Sequence, residues 1–565
     1  MENFMPKGLV DQLLGLYRNV LNDVATFYPN DREEYDRDYS RLVALSKEFG
    51  VALFTLLLPD VGKVLDQALE TGALPKTGKP LTRPVNGRTT IPRLFRRMWL
   101  RLFMTNGCLR QDIDPHDVFL LRTVLSLGKK LELECPDAVT HATVKEYYDV
   151  DQTLPPVSRI WRGEDYDPSV ARGWSLLDHP ACNGFFGVGG NADTVELLAL
   201  TQRVGDRVAC VLGEYLPSQH KFKHGPGAVS DGRTGEVYKY AFPAWPVRLN
   251  QVFPADEFAV ANLSGVLDPY GATNPWDLRD GEPASKLCAV PKTQKAPRLI
   301  AAEPTAHQWC QQSVGDFLSD SIRRSAIGRS IDFKRQELSG QLALDSSLTR
   351  EMATVDLSSA SDRLSCWLVE RLFRANYSLL HALTASRTRY LTNDIDVKSP
   401  QLYELRKFAS MGSALTFPVQ SLVFYILCVS AGLRTEGKHE RRWQEVAGRV
   451  RIYGDDLIVP VDWMPRLREL LSLCHLRINE AKTFVKGNFR ESCGVDAYMG
   501  HDVTPVRLRR FFEESAPSTL QSVVDVSNNF YYKGLWNAAD YLLSPVPEWM
   551  RELIPWVSTG SGTFG

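Results

Sequence analysis

Tyr453-Gly454-Asp455-Asp456 stands between two short β-prone runs, Arg449-Val450-Arg451-Ile452 and Leu457-Ile458-Val459-Pro460, so the segment reads as a hairpin with adjacent carboxylates at its tip. This constrains the fold because two neighbouring acids on a tight turn repel each other. Gly454 supplies the positive φ that a short hairpin turn favours, whereas a second acid is nothing a turn requires. A cation that offsets the repulsion is the functional reading. Magnesium held by one or two carboxylates together with substrate phosphates is the common arrangement of this kind. A solvated Asp-rich loop is the plain alternative.

Upstream, Met352 to Leu357 alternates as a strand does, and Ser358 to Asp362 then turns into a helix whose apolar stripe is Leu364, Trp367, Leu368 and Leu372. Asp356 thus falls at a strand end and Asp362 in a first helical turn, where the helix dipole favours a carboxylate. Helix capping is the simple alternative for this pair. Two-metal phosphoryl transfer needs carboxylates from separate elements to hold two cations roughly 4 Å apart. A strand-end Asp356 beside a hairpin carrying Asp455 and Asp456 meets that need.

Between the acids, Ser410-Met411-Gly412-Ser413-Ala414-Leu415-Thr416 leads into a long apolar helix. Gly412 lets backbone approach a nucleotide closely, and Thr416 and Gln420 share one helical face, within reach of a ribose. Lys292, Lys295 and Arg298 precede Glu303 and offer fixed cations for a triphosphate. Lys482 can protonate a leaving pyrophosphate if its surroundings bring its pKa toward neutrality. Polar residues facing other buried groups, a solvated basic loop and a surface lysine are the respective alternatives.

At 565 residues the chain has room for about three or four domain-sized units. Its net charge of -1, with 24% charged and 44% hydrophobic residues, argues against disorder and says nothing of partners. Locally, Thr71 to Gln111 holds nine cations and no acid, which fits phosphate contact or a basic surface balanced by the acids of 31–38. Ten scattered cysteines, with Cys474 and Cys493 the nearest pair, give no zinc spacing and suit a reducing interior. Charges among residues 1–21 spoil a signal sequence, leaving an amphipathic helix. Only Phe408 to Leu433 lacks charge for long enough to span a bilayer, yet its Ser, Thr, Gln and Pro residues predict a buried core helix and no membrane partner.

The first 150 or so residues read as helical over Leu9–Leu21, Leu42–Leu58 and Leu94–Phe103, the last opened by Pro92. Pro155 to Pro283 suggests irregular structure and short strands, with Gly184–Gly190 a turn rather than a phosphate loop. No Walker motif or nucleophile elbow occurs. The Gly/Ser/Thr-rich segment 558–565 reads as a flexible tail or a truncated continuation.

Five segments carry a resemblance: VPKTQKAPRLIAAEP (290–304), ATVDLSSASD (353–362), MGSALTF (411–417), IYGDD (452–456) and KTFVKGNFRESCG (482–494). DVTP at 502–505 and Asn528-Asn529 add to it. In this order they resemble RNA-dependent RNA polymerases, and specifically the catalytic beta subunits of the replicases of single-stranded RNA bacteriophages, the leviviruses. The resemblance covers about residues 220–540; residues 1–160 resemble no named family.

It implies an α+β right-hand fold with an antiparallel palm sheet, to which the apolar periodicity adds a largely helical N-terminal region. The division expected is 1–160 helical and of unknown role, 161–350 fingers, 351–500 palm with 366–408 partly fingers, and 501–565 thumb, possibly truncated. It implies Asp356, Asp455 and Asp456 as ligands of two Mg2+ ions, with Mn2+ a substitute, and Asp362 as reader of the ribose 2′-hydroxyl. Lys292, Lys295 and Arg298 then line nucleotide entry and Lys482 is the acid, while Met411-Gly412 and Gln420 depart from the Ser-Gly and later Asn of many viral polymerases, leaving the partner of Asp362 open. Implied partners are single-stranded RNA template and product, ribonucleoside triphosphates, host translation elongation factors and a ribosomal protein, in the cytoplasm of a bacterial host. A narnavirus-like or mitovirus-like replicase, or a noncatalytic RNA-binding scaffold, is the alternative.

Overall fold

The apolar run after Gly412 forms one helix, Thr416–Thr435, in which Thr416 and Pro418 through Leu433 are all buried. A helix that is apolar all round has no face to give to water, so neighbours enclose it on every side. Those neighbours include helices Ala192–Val211 and Met464–Leu473. The computed structural model describes residues 7–565 except 88, 163–167, 183–191, 232–238, 240, 241, 243, 260–281 and 559. The turn expected at Gly184–Gly190 lies outside the described residues.

The fold is mixed α+β. Strands β1 (Ser285–Thr293) and β2 (Ala296–Ala302) form an antiparallel hairpin in a four-stranded sheet with β4 (Tyr390–Thr392) and β5 (Leu402–Glu404), in the order β2-β1-β4-β5. A second sheet, antiparallel throughout, has the order β3-β7-β6, from β3 (Met352–Val355), β6 (Arg451–Tyr453) and β7 (Asp456–Pro460). A third is built from β8 (Phe489–Ser492), β9 (Val495–Tyr498) and β10 (His501–Asp502).

Two large hydrophobic cores divide the chain unexpectedly. One runs from Ile160 to Leu476 around helix Thr416–Thr435. The other joins Leu13–Leu131 to Phe484–Val546, so the two ends of the chain share a core. Polar contacts bind the ends too: Asp23 accepts the backbone N–H groups of Asn537 (2.9 Å) and Ala538 (3.0 Å) at the start of helix Trp536–Leu543. A carboxylate at a helix N-terminus satisfies donors that have no partner within the helix.

The N-terminal region is helical as expected, with different boundaries. Residues Lys7–Phe27 form one helix, but the expected helix 42–58 is split: Arg32–Phe49 ends at Gly50 (φ 56), and a wide turn at Leu53–Leu57 leads into Leu58–Thr71. Pro92 opens no helix; the helix is Arg96–Leu102, delayed because Phe95 adopts a left-handed φ of 57. Within the basic stretch, Asp31 takes Arg101 (2.8 Å) and Arg97 (3.6 Å), the neighbour-balanced alternative for those two cations. All ten cysteines are free thiols.

Asp38, 1% exposed, meets Arg41 at 2.6 Å, yet burial pushes its carboxyl up to about 6. The folded state therefore binds more protons than the unfolded state between pH 4 and 6, and stability falls as pH rises through that window. Asp38→Asn removes this dependence. In urea melts the unfolding free energy of the variant relative to the parent should rise by about 1–3 kcal/mol from pH 4 to pH 7. A difference independent of pH would contradict the assignment.

Candidate active site

In the β3–β7 ladder Val355 pairs with Leu457, which leaves Asp356 one position beyond the last pair of β3 and Asp456 at the first position of β7, at the same end of the sheet. In the β6–β7 hairpin Tyr453 pairs with Asp456, leaving Gly454-Asp455 as a two-residue turn. Gly454 has φ 64, and an added Cβ would lie 2.5 Å from the Phe417 ring, so both turn geometry and packing demand glycine.

The segment after Ile478 runs along the free side of β3. Thr354 exchanges backbone hydrogen bonds with Phe484 (3.0 and 2.9 Å), and the Asn479 N–H donates to Asp356 O at 2.9 Å. This brings the Asn479 amide to Asp356 Oδ2 at 2.7 Å and Lys482 Nζ to the same oxygen at 3.7 Å. Asp456 Oδ2 accepts the Cys493 N–H at 3.2 Å.

Burial raises the pKa of Asp356, against Lys482 and Asn479. Burial, then the charges of Asp455 and Asp356, push Asp456 up to about 6. Three acids within electrostatic range, two of them disfavoured as anions, form a hard-oxygen donor set of the kind that suits divalent magnesium. Among the described residues, no three carboxylate, imidazole or thiol groups are gathered around one point. Asp356 is drawn toward Asn479 and Lys482, and Asp456 toward the Cys493 N–H. The donor chemistry fits; the joint ligand set remains a proposal.

Lys482 departs from expectation. Burial would lower its pKa, but Glu491, Asp356, Asp456 and Asp455 outweigh that and raise it above the ordinary lysine value, away from neutrality.

All the remaining expected residues line one cavity of about 680 Å³: Lys292, Lys295, Arg298, Asp362, Gly412, Thr416 and Gln420, together with Asp455. Thr293 pairs with Ala296, which leaves Gln294-Lys295 as the turn of the β1–β2 hairpin. Shelter in the cleft and the charges of Arg298 and Lys482 lower the pKa of Lys292, opposed by Asp455 and Asp356. Lys295 is lowered chiefly by Lys63, which stands nearer the hairpin tip.

Two positions read differently in three dimensions. The Thr416 hydroxyl donates to Ser410 O at 2.7 Å, so it offers a ligand only an acceptor. Gly412, at φ 125, is required by its contact with β2: an added Cβ would overlap the carbonyl of Ala301, whose N–H donates to Met411 O at 2.7 Å. Gly412→Ala should cost about 2 kcal/mol or more in stability and weaken nucleotide binding. Melts and nucleotide titrations matching the parent would contradict this. Gln420, 5% exposed, keeps a buried Oε1 without a hydrogen-bond partner among the described residues, a polar atom that a ligand could satisfy.

Asp362 does not begin the expected helix. It sits in a single 3-10 turn, Ser361–Arg363, and the α-helix starts at Cys366 behind a Ser365 cap. The break arises because Leu364 O accepts the Phe408 N–H (2.6 Å) and Ser365 bridges to Lys407. Asp362 is held by Lys407, a residue sequence reasoning missed, as it also missed Asn479, Cys493 and the cavity wall formed by Thr143, Glu146, Tyr147 and Val150 of helix Asp137–Gln152. Only the i, i+3, i+4, i+7 spacing of that wall could have signalled it.

Residues 196–545, more than half of the chain, match the family model for RNA replicase, beta-chain. The chain belongs to the RNA replicase beta-chain family. Relatives of this replicase-family chain include the RNA-directed RNA polymerase beta chain of Enterobacteria phage GA, 32% identical over 54% of this chain and 53% of that one. The RNA-directed RNA polymerase subunit beta of Escherichia virus Qbeta is 34% identical over 47% and 42% of the respective chains. That of Escherichia phage MS2, an RNA-directed RNA polymerase beta chain, is 33% identical over 39% and 37%. The matches thus span about half the length of these curated relatives or less. A solved RNA-dependent RNA polymerase of a human picorbirnavirus covers 48% of this replicase-family chain and 59% of its own, at 13% identity and a TM-score of 0.33, too low to carry a fold assignment.

Proposed function

We propose that the chain is an RNA-directed RNA polymerase that copies a single-stranded RNA phage genome from ribonucleoside triphosphates. A 3′-hydroxyl attacks the α-phosphate of the incoming nucleotide, forming the new phosphodiester and releasing pyrophosphate. The observation that carries this reading is the position of Asp356 just past the end of β3 and of Asp455-Asp456 at the β6–β7 turn of the same sheet, with Asp455 lining the cavity that also holds Lys292, Asp362 and Gln420.

In this reading Asp356, Asp455 and Asp456 hold two Mg2+ ions, replaceable by Mn2+, which when bound activate the attacking hydroxyl and stabilise the leaving oxygen. Lys292, Lys295 and Arg298 receive the triphosphate, and Asp362 accepts the ribose 2′-hydroxyl. Lys482 holds a proton for the departing pyrophosphate. Lys482→Leu should lower the single-turnover rate about 100-fold with little change in nucleotide affinity; an unaltered rate would remove it from the mechanism.

The division into fingers (161–350), palm (351–500, with 366–408 partly fingers) and thumb (501–565) is part of the proposal, as is the bacterial cytoplasm as its setting. So is cooperation with host elongation factors and a ribosomal protein. A second cavity, about 970 Å³, lined by Lys130, Arg507, Arg509, Lys533 and the motif residues Thr504 and Asn528, supports a path for RNA phosphates.

The test is incorporation of labelled ribonucleotides by the purified chain with Mg2+ and an RNA template, with and without bacterial lysate. Template-dependent product that EDTA abolishes is expected. No product under either condition would overturn the reading.

A further inference from the structure

Lys407 is 0% exposed, and its backbone is fixed from three sides. Its N–H donates to Asp151 Oδ1 at 2.9 Å, its carbonyl accepts Arg387 Nη2 at 2.9 Å, and it bridges to Ser365. Its ammonium reaches Asp362 Oδ1 at 2.9 Å and lies 3.3 Å from the centroid of the Tyr147 ring. The Tyr147 hydroxyl is in turn bonded to Ser410 Oγ at 2.7 Å. Asp362 and Tyr147 line the same cavity as Asp455, whereas Lys407 does not. A dry ammonium therefore stands behind the carboxylate that faces the cleft.

We propose that Lys407, braced by the Tyr147 ring, is the positioning residue that fixes the Asp362 carboxylate in place as a hydrogen-bond acceptor and thereby sets discrimination between ribose and 2′-deoxyribose nucleotides. The inference rests on the polymerase reading above and names the partner of Asp362 within it.

A buried cation needs its counter-charge, so the pair holds Asp362 Oδ1 in place. The side chain of Asp362 is 15% exposed, and its exposed part belongs to the cavity lining. A sugar hydroxyl can donate to it. A 2′-deoxy sugar displaces water from the carboxylate and returns no hydrogen bond, which is the costly case for a site built around a polar contact. Without Lys407 the carboxylate is free to turn away, and the penalty on the deoxy sugar falls.

The experiment compares kcat/KM for ATP and 2′-dATP in extension of an RNA primer by the parent, Lys407→Met, Asp362→Asn and the double variant. Methionine keeps the length and burial of Lys407 without its charge. The ATP/dATP ratio should fall by about ten-fold or more in Lys407→Met, with the loss concentrated on ATP and in KM. The double variant should discriminate no worse than Asp362→Asn, since Lys407 acts through that carboxylate. Equal losses on ATP and dATP, or effects that multiply in the double variant, would overturn the inference by giving Lys407 a purely structural role.

Should Lys407→Met fail to fold, Tyr147→Leu keeps the ion pair and removes its aromatic brace together with the hydroxyl bonded to Ser410. Its ATP/dATP ratio should fall several-fold, and an unchanged ratio would overturn the inference. Absence of extension by the parent would instead overturn the polymerase reading itself.

Discussion

Asp455→Asn is expected to lower the single-turnover rate of nucleotide addition about a thousand-fold or more, equivalent to about 4 kcal/mol of transition-state stabilisation. The amide matches the carboxylate in shape and loses only its charge, which is the property a divalent cation requires. The variant should remain folded. Asp455 and Asp356 are like charges that help burial raise Asp456, so removing one relieves repulsion in the metal-free protein. A melting temperature equal to or above the parent's, together with unchanged RNA affinity, would separate lost chemistry from lost structure. A rate matching the parent's would end the catalytic assignment of this residue.

Arg490→Met is the substitution expected to damage the fold most. Arg490 is 0% exposed and donates to four backbone carbonyls: Met352 (2.7 Å), Gly487 (2.7 Å), Phe489 (2.7 Å) and Val485 (3.1 Å). Burial drops its pKa to about 10, opposed by Glu70. Glu70 itself accepts the N–H groups of Val485 (2.7 Å), Lys486 (2.6 Å) and Gly487 (3.0 Å). One arginine and one glutamate thus lock the turn after Lys482 to β3 and to helix Leu58–Thr71. Methionine fills the space but orphans the carbonyls, at a cost of about 4 kcal/mol or more. Because the same turn leads into the Asp356 edge, activity should fall with stability. Denaturant melts showing a loss under 1 kcal/mol would contradict this account of the Gly-Asn-Phe-Arg motif.

Local chemistry made parts of the site legible. Gly454 between β-prone runs gives a two-residue hairpin whatever surrounds it, and the alternation of 352–357 gives a strand ending near Asp356. The pairing of that strand with β7, which brings Asp356 and Asp456 to the same end of the sheet, joins residues about a hundred positions apart and leaves no local trace. Asp362 was misread as part of a helix because helical spacing continues through it; the interruption comes from the Leu364–Phe408 hydrogen bond, which is invisible in sequence. Lys407 and Tyr147 escaped for the same reason, each being a single residue in an unremarkable stretch. The shift of Lys482 had the wrong sign because it depends on how many acids the fold gathers around one amine. The shared core of residues 13–131 and 484–546 likewise has no signature in hydrophobic period, which reports the buried face of an element and not its partner.

The proposed role of Asp356, Asp455 and Asp456 is to bind divalent cations jointly. Titration of Mn2+ followed by electron paramagnetic resonance, with a nonhydrolysable nucleotide present, tests it without reliance on turnover. The account predicts two bound ions per parent chain, with affinity for at least one reduced about ten-fold or more in both Asp356→Asn and Asp455→Asn. Parent and variants binding the same number of ions with the same affinity would contradict it.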